Sequence, residues 1–327
     1  MQKQRLCSKY KVFVLATCFS ILMYGFIGCS GSSTTDNTGE EEASGTEEGG
    51  GTSTGAFSQT TLTVGGESRA VSFYVPTNAG SNPPLVIAFH GTSGSPDNWI
   101  DALDSDPSGI EGLADAHGLV VAAPQSRTFT EADWDHEYGG DIYWETAAPN
   151  GSNPDLNEDL MLVRSIISSA QTNYNINTKR VYLIGFSNGG FFAVLAAMAL
   201  PDEIAAFTEG GSGLVTCDTT RTCEAQSTAT NCSGILSGAP VSCTSCSGSE
   251  KPITIPTSGR LVPGFLAHNN SDETVSSYYT CKLEQRMNAL GYNTDVLIGN
   301  STEHGAPEGF LDAAWAFMSN YELPLLE

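Results

Sequence analysis

Hydrophobic and polar positions along the chain fall into alternating strand-like and helix-like patterns from residue 57 onward. Residues 58–64 and 69–75 flank Gly65-Gly66 and predict an opening hairpin. Residues 84–89 (Pro-Leu-Val-Ile-Ala-Phe) and 119–123 are continuous apolar runs, the pattern of strands buried on both faces. Between 157 and 174 the apolar residues Leu160, Leu162, Val163, Ile166 and Ile167 recur at helical spacing, and 180–185 again reads as a buried strand. A helix is predicted over 191–200, stopped by Pro201. Later strands are expected at 204–207, 261–267 and 294–298, and helices at 275–290 and 307–321. This rhythm predicts an α/β class chain, a three-layer sandwich around a mainly parallel central sheet.

Two regions break the rhythm. Residues 217–256 are rich in Ser, Thr, Gly and Cys with few large apolar residues, so they read as a Cys-rich insertion held by cross-links in place of a core. Such an insertion either caps the active site or decorates a distant surface. At the other end, Lys3, Arg5, Lys9 and Lys11 precede an apolar run from Val12 to Ile27, too short for a spanning helix. Residues 1–28 are therefore expected to be an export signal. Gly28-Cys29 resembles the lipobox of bacterial lipoproteins, which makes Cys29 the lipidation site and implies membrane attachment, with Ser30 favouring the outer membrane. An ordinary cleaved signal or an uncleaved anchor are the alternatives. Residues 29–56 are mainly Gly, Ser, Thr and Glu and predict a solvated acidic tether. That leaves 57–327, roughly 270 residues, as one domain.

Charge and cysteines refine the setting. The formal net charge is −23, and the signal holds four of the 14 basic residues and none of the 37 acidic ones, so the exported part stands near −27. Nucleic acid and anionic lipid surfaces are thereby disfavoured as partners. Beyond the signal and Cys29, six cysteines remain: Cys217, Cys223, Cys232, Cys243, Cys246 and Cys281. An even number in an exported chain predicts disulfides, with the connectivity open. Cys243-Thr244-Ser245-Cys246 is the one zinc-like pair, but Cys217 and Cys223 are too widely spaced to complete a zinc ribbon, and no metal is expected.

The candidate chemistry lies in three segments. Gly185-Phe186-Ser187-Asn188-Gly189 follows a predicted buried strand and opens a predicted helix, the context that a nucleophile elbow requires to expose a serine hydroxyl at a strained turn. Only His268 and His304 lie beyond Ser187. His268 ends a strand and precedes the candidate acid, whereas His304 sits in a loop between the last strand and last helix, so His304 is the expected base. The acid belongs in Asn269-Asn270-Ser271-Asp272-Glu273, with Asp272 preferred over Glu273; Asp202 and Asp295 stand on the wrong connections. Asp272 would otherwise cap a helix ahead of Val275, a role expected to exclude contact with His304. Oxyanion donors are expected from the backbone of Asn188 and of Thr92 in His90-Gly91-Thr92-Ser93-Gly94, with Ser93 next.

These pieces, together with Ala123-Pro124-Gln125, Asn157-Glu158-Asp159, Thr178-Lys179-Arg180-Val181-Tyr182 and His268 to Tyr278, resemble the esterase family of poly(hydroxyalkanoate) depolymerases, feruloyl esterases and acetylxylan esterases. The resemblance spans most of the chain from about residue 84. It implies an α/β-hydrolase fold, a triad of Ser187, Asp272 and His304, no cofactor, and an ester substrate, polymeric or small. The chain departs from the family pattern after His304, where Gly305-Ala306-Pro307 replaces an aromatic-proline pair, and in its Cys-rich insertion. A serine peptidase of the same fold, or a surface lipoprotein that binds without catalysis, are the rival expectations.

Overall fold

A computed structural model of the chain describes residues 55–100, 109–128, 142–146, 153–214, 227–237 and 253–324. The expected signal, Cys29 and most of the tether lie outside the described residues, as do Cys217, Cys223, Cys243 and Cys246. The unit running from Gly49 to Glu327 is built on one eight-stranded sheet.

The hairpin comes first: β1 (Ala56–Val64) pairs antiparallel with β2 (Glu67–Val75) in continuous register from Ala56–Val75 to Val64–Glu67. Ala56, expected to close the tether, is already the first strand residue. Parallel strands β3 (Leu85–Phe89), β4 (Val120–Pro124), β7 (Val181–Phe186), β8 (Ala206–Gly210), β9 (Gly264–Asn269) and β10 (Thr294–Gly299) follow, with a separate two-stranded ribbon of β5 (Arg127–Thr128) and β6 (Ile142–Tyr143). The order across the main sheet is β1-β2-β4-β3-β7-β8-β9-β10, parallel throughout except at the two pairings made by β2.

Strand periodicity then builds the layers. In β3, Leu85, Ile87 and Phe89 point to one face, where they pack with Leu160, Val163 and Ile166 of α2 (Glu158–Tyr174) and Phe192 of α3 (Asn188–Ala199). Val86 and Ala88 point to the other, against Ile110 and Leu113 of α1 (Ile110–His117) and Phe310 and Trp315 of α6 (Phe310–Met318). All five residues are fully buried. Burying a Val, Leu, Ile or Phe side chain contributes about 1.5–3 kcal/mol, and β3 and β4 accordingly carry no polar residue on either face. The expected α/β-hydrolase sandwich is what the chain adopts.

The element that differs most from expectation is α3. It begins at Asn188, directly on Ser187, where the sequence pattern places its start at Phe191. Gly189 and Gly190 read as loop residues by propensity, but here they are fully packed members of the first turn. Similarly, β9 extends to Asn269, so that His268 lies inside the strand and not at its end.

Within the insertion, residues 227–237 form an anchored segment. Its helix α4 (Cys232–Ser237) is joined by a disulfide from Cys232 to Cys281 of α5 (Tyr278–Ala289), and Cys232, Ile235 and Cys281 make a small apolar cluster with Leu236, Val296 and Ile298. One of the six expected cysteine partners therefore reaches outside the insertion. The same segment hydrogen-bonds the loop after β9: Ser227 N–H donates to the Asn270 carbonyl (3.3 Å) and Ser271 Oγ donates to the Ser227 carbonyl (3.0 Å). Among the described residues no helix is long and apolar enough to cross a membrane.

Candidate active site

Ser187 joins β7 to α3 with φ 54° and ψ −124°, a backbone conformation that L-residues rarely occupy and that projects its side chain from the turn. The flanking glycines make that turn possible by close approach. A Cβ on Gly189 would overlap the carbonyl oxygens of Phe89 and His90, and one on Gly185 would overlap the Gly189 carbonyl. The helix is thus pressed against β3 and β7 at the one place where any side chain would separate them. Ser187 N–H donates to the Gly210 carbonyl (2.8 Å), which ties the turn to the end of β8.

Opposite Ser187 runs the loop after β3. A methyl at Gly91 would stand 3.3 Å from Ser187 Cβ and 3.8 Å from its Oγ, so the loop backbone passes alongside the hydroxyl. Gly94 N–H donates to the Gly91 carbonyl (3.1 Å), closing a tight turn with Thr92 and Ser93 at its centre and Ser93 at φ 59°. Asn188, the other expected oxyanion residue, occupies the first position of α3, where backbone N–H groups have no partner within the helix. Its side-chain Oδ1 accepts the Trp144 N–H at 2.6 Å.

Behind this loop stands a set of buried groups that no sequence motif marks as part of the site. His90 is held through both ring nitrogens: Nδ1–H donates to the Gly91 carbonyl (2.7 Å) and Nε2 accepts from Ser126 N–H (3.2 Å). Burial lowers its pKa below the ordinary value, consistent with the neutral tautomer this pairing demands. Trp144 Nε1–H donates to the His90 carbonyl (2.8 Å). Arg69 on β2 donates twice to the Gln125 carbonyl (3.0 and 2.9 Å) and forms a buried ion pair with Asp159 of α2 at 2.8 Å. Asp159 in turn accepts the Glu145 N–H (2.7 Å), beside Trp144. Asp159 therefore steadies Gln125 through Arg69, and the Gln125 side chain lies 3.3 Å from His90 Nε2, a connection between elements far apart in sequence.

Across the sheet, His304 lies on the loop between β10 and α6, and its Nδ1–H donates to Asp272 Oδ2 at 2.7 Å. Asp272 Oδ1 accepts the N–H groups of Thr274 (2.8 Å) and Val275 (2.9 Å). The expectation that capping would exclude contact with His304 is overturned: one oxygen shapes the turn while the other holds the imidazole. No helix starts at Val275, because α5 begins at Tyr278. Burial is the largest influence on this carboxyl and raises its pKa, but hydrogen bonds from His268, His304, Val275 and Thr274 together outweigh it and hold the group well below the usual carboxylate range.

The His304 loop is braced by Asn269, whose Nδ2 donates to the carbonyls of Glu303 (3.1 Å) and Gly305 (3.0 Å), on either side of the histidine. The His304 ring sits 5.0 Å from that of Phe186, the residue before Ser187. His304 Nε2 is buried and has no hydrogen-bond partner among the described residues. The structure thus brings Asp272 and His304 into direct contact and places Ser187 beside the Gly91 loop, with no hydrogen bond between the serine and the imidazole. The backbone N–H of Glu273 donates to the Thr302 carbonyl (3.2 Å). Among the described residues no cluster of His, Cys, Asp or Glu could hold a metal ion.

The comparisons with known proteins agree with this architecture. The esterase family model matches residues 63–208. The bifunctional acetylxylan esterase/xylanase XynS20E of Neocallimastix patriciarum is 33% identical over 142 residues, which cover 43% of this chain and 18% of that protein. Acetylxylan esterase A of Talaromyces purpureogenus is 27% identical over 226 residues, covering 68% of this chain and 54% of its own length. The chain accordingly spans about half or less of these two curated relatives. Among solved structures, the acetyl xylan esterase from Aspergillus awamori superposes with a TM-score of 0.55 at 17% identity over 81% of this chain and 99% of that one, a likeness of fold. By sequence the chain is similar to acetylxylan esterases, feruloyl esterases and a poly(3-hydroxyalkanoate) depolymerase, and its fold is that of the α/β-hydrolase esterases.

Proposed function

We propose that the chain is a serine carboxylic ester hydrolase that works through an acyl-enzyme, with Ser187 as nucleophile, His304 as general base and Asp272 as the residue that orients it. The observation that carries the reading is the state of His304: Nδ1 is held by an ionised carboxylate while Nε2 is buried without a partner, next to the residue that precedes Ser187. An imidazole fixed in that tautomer has its acceptor nitrogen available to take a serine proton. In the first step Ser187 Oγ attacks the ester carbonyl as His304 Nε2 takes its proton, and the same proton then goes to the departing alcohol. Water, deprotonated by His304, next releases the acid from the acyl-enzyme. The backbone N–H groups of Asn188 and Thr92 are the proposed donors to the oxyanion.

The proposed substrates are carboxylic esters of polysaccharide-linked acetyl or feruloyl groups, or short hydroxyalkanoate polyesters, because relatives bear the names acetylxylan esterase, feruloyl esterase and poly(3-hydroxyalkanoate) depolymerase. We further propose that the protein is exported and attached to the cell envelope through a lipid on Cys29, a reading supported by the basic start, the apolar run and Gly28-Cys29. The first test is labelling with a fluorophosphonate probe, alongside hydrolysis of p-nitrophenyl acetate. Wild-type protein should label and turn over, whereas Ser187→Ala should do neither while keeping its circular dichroism spectrum. Labelling of the alanine variant would remove Ser187 from its role.

A further inference from the structure

Beyond Asp272 the hydrogen bonding does not stop. His268, fully buried in β9, approaches Asp272 Oδ2 with its Nε2 at 3.4 Å and donates from the same nitrogen to the Val275 carbonyl at 2.8 Å. Its Nδ1 lies 2.7 Å from Thr280 Oγ of α5. That hydroxyl stands 3.0 Å from Glu209 Oε1 on β8 and 3.1 Å from the Ser212 carbonyl. Glu209 is fully buried, and its second oxygen accepts from the Ser212 N–H (3.1 Å) and, very closely, from the Ser212 hydroxyl.

None of these groups belongs to the proposed triad, yet they form one unbroken line from Glu209 to the carboxylate that holds His304. A buried carboxyl and a buried imidazole are both costly to desolvate, and a core built for packing alone would place apolar residues at these positions. Burial, the dominant influence on Glu209, raises its pKa.

The proton positions follow from the partners. The Val275 carbonyl can only accept, so His268 Nε2 must carry a hydrogen. Whichever way the Thr280 hydroxyl points, toward His268 Nδ1 or toward Glu209, that Nε2–H is unchanged. Thr280 has lone pairs and one hydrogen, and it can join Nδ1 to the carboxyl in either sense. Without the hydroxyl, the imidazole would lose the contact that sets its ring orientation.

We propose that Glu209, Thr280 and His268 are positioning residues for ester hydrolysis, a line of buried groups that fixes Asp272 Oδ2 toward His304 from behind. The inference rests on the triad reading above. Glu209 reaches this role from β8 and Thr280 from α5, both through His268 of β9, the one member of the line that approaches Asp272 Oδ2 itself.

The test compares Thr280→Val with Thr280→Ser in the full chain, measuring kcat and KM on p-nitrophenyl acetate. Displacement of an orienting group by a fraction of an ångström slows turnover more than it weakens binding. The expectation is a fall in kcat of on the order of tenfold or more for Thr280→Val, with KM within about twofold, and kcat within about twofold of wild type for Thr280→Ser. A folded Thr280→Val enzyme with wild-type kcat would overturn the proposal. Should that variant not fold, 15N-histidine NMR of the wild-type protein decides: His268 is expected to be protonated at Nε2 at neutral pH, and a bare Nε2 would refute the line. Ser187→Ala in the same assay separates the two readings. An active Ser187→Ala enzyme would sink the triad itself, whereas an inactive one beside a normal Thr280→Val enzyme would sink this inference alone.

Discussion

Asp272 shows how much one side chain can be asked to do. Its folded-state pKa is depressed, so it contributes stability at pH values above its unfolded value of about 3.9, and that contribution is lost as the pH falls through the folded value. Asp272→Asn should therefore flatten the loss of stability on acidification below about pH 4, as read from urea unfolding at a series of pH values; an unchanged slope would show that the carboxylate is not the responsible group. Turnover should fall on the order of a thousandfold in the same variant, since the amide no longer fixes the imidazole tautomer. Wild-type activity should decline as His304 gains a proton, and a flat acid profile would count against it as base. The proposed nucleophile, acid and base are singled out in the sequence by the order serine, acid, histidine along the chain. The buried supports are not: Asn269, Arg69 and Glu209 occupy ordinary strand or loop positions, and their partners are 34, 90 and 71 residues away or lie on separate elements.

At the scale of elements, strands are read well where both faces are buried, because β3, β4 and β7 leave no ambiguity of period. Helix α1 escapes notice: two turns with a glycine inside give too few repeats to register. The early start of α3 is invisible for a different reason, since its glycines are selected by close packing against β3 and β7 and run against helix propensity. The clamp between β2 and α2 yields its own prediction. Arg69→Ala leaves Asp159 charged and buried, with a cost of about 3–5 kcal/mol, and should lower the melting temperature clearly. If thermal unfolding of the variant coincides with wild type, the ion pair is not a structural support for the loop after β3. A partly destabilised but folded variant should also lose kcat, because the Gln125 carbonyl that Arg69 holds sits in the same bracing that faces His90.

For the molecule as a whole, the β10 side of the sheet is packed by a cross-linked helix. At the far side, β10 is the last strand, and part of its apolar surface, Val296 and Ile298, is met by the cluster around Cys232 and Cys281. The cross-link spans 49 residues, and a link of that size contributes about 2–4 kcal/mol by restricting the unfolded chain. Cys232→Ser with Cys281→Ser should therefore lower stability by that amount in denaturant titration, and no change would mean that packing alone seats the helix. A second consequence concerns solubility. An unprotected terminal strand invites pairing with another molecule. Under reducing conditions the protein should thus gain a tendency to self-associate while its circular dichroism is still native, so that a short helix far from the sheet's centre ends up deciding whether the molecule stays dispersed in its surroundings.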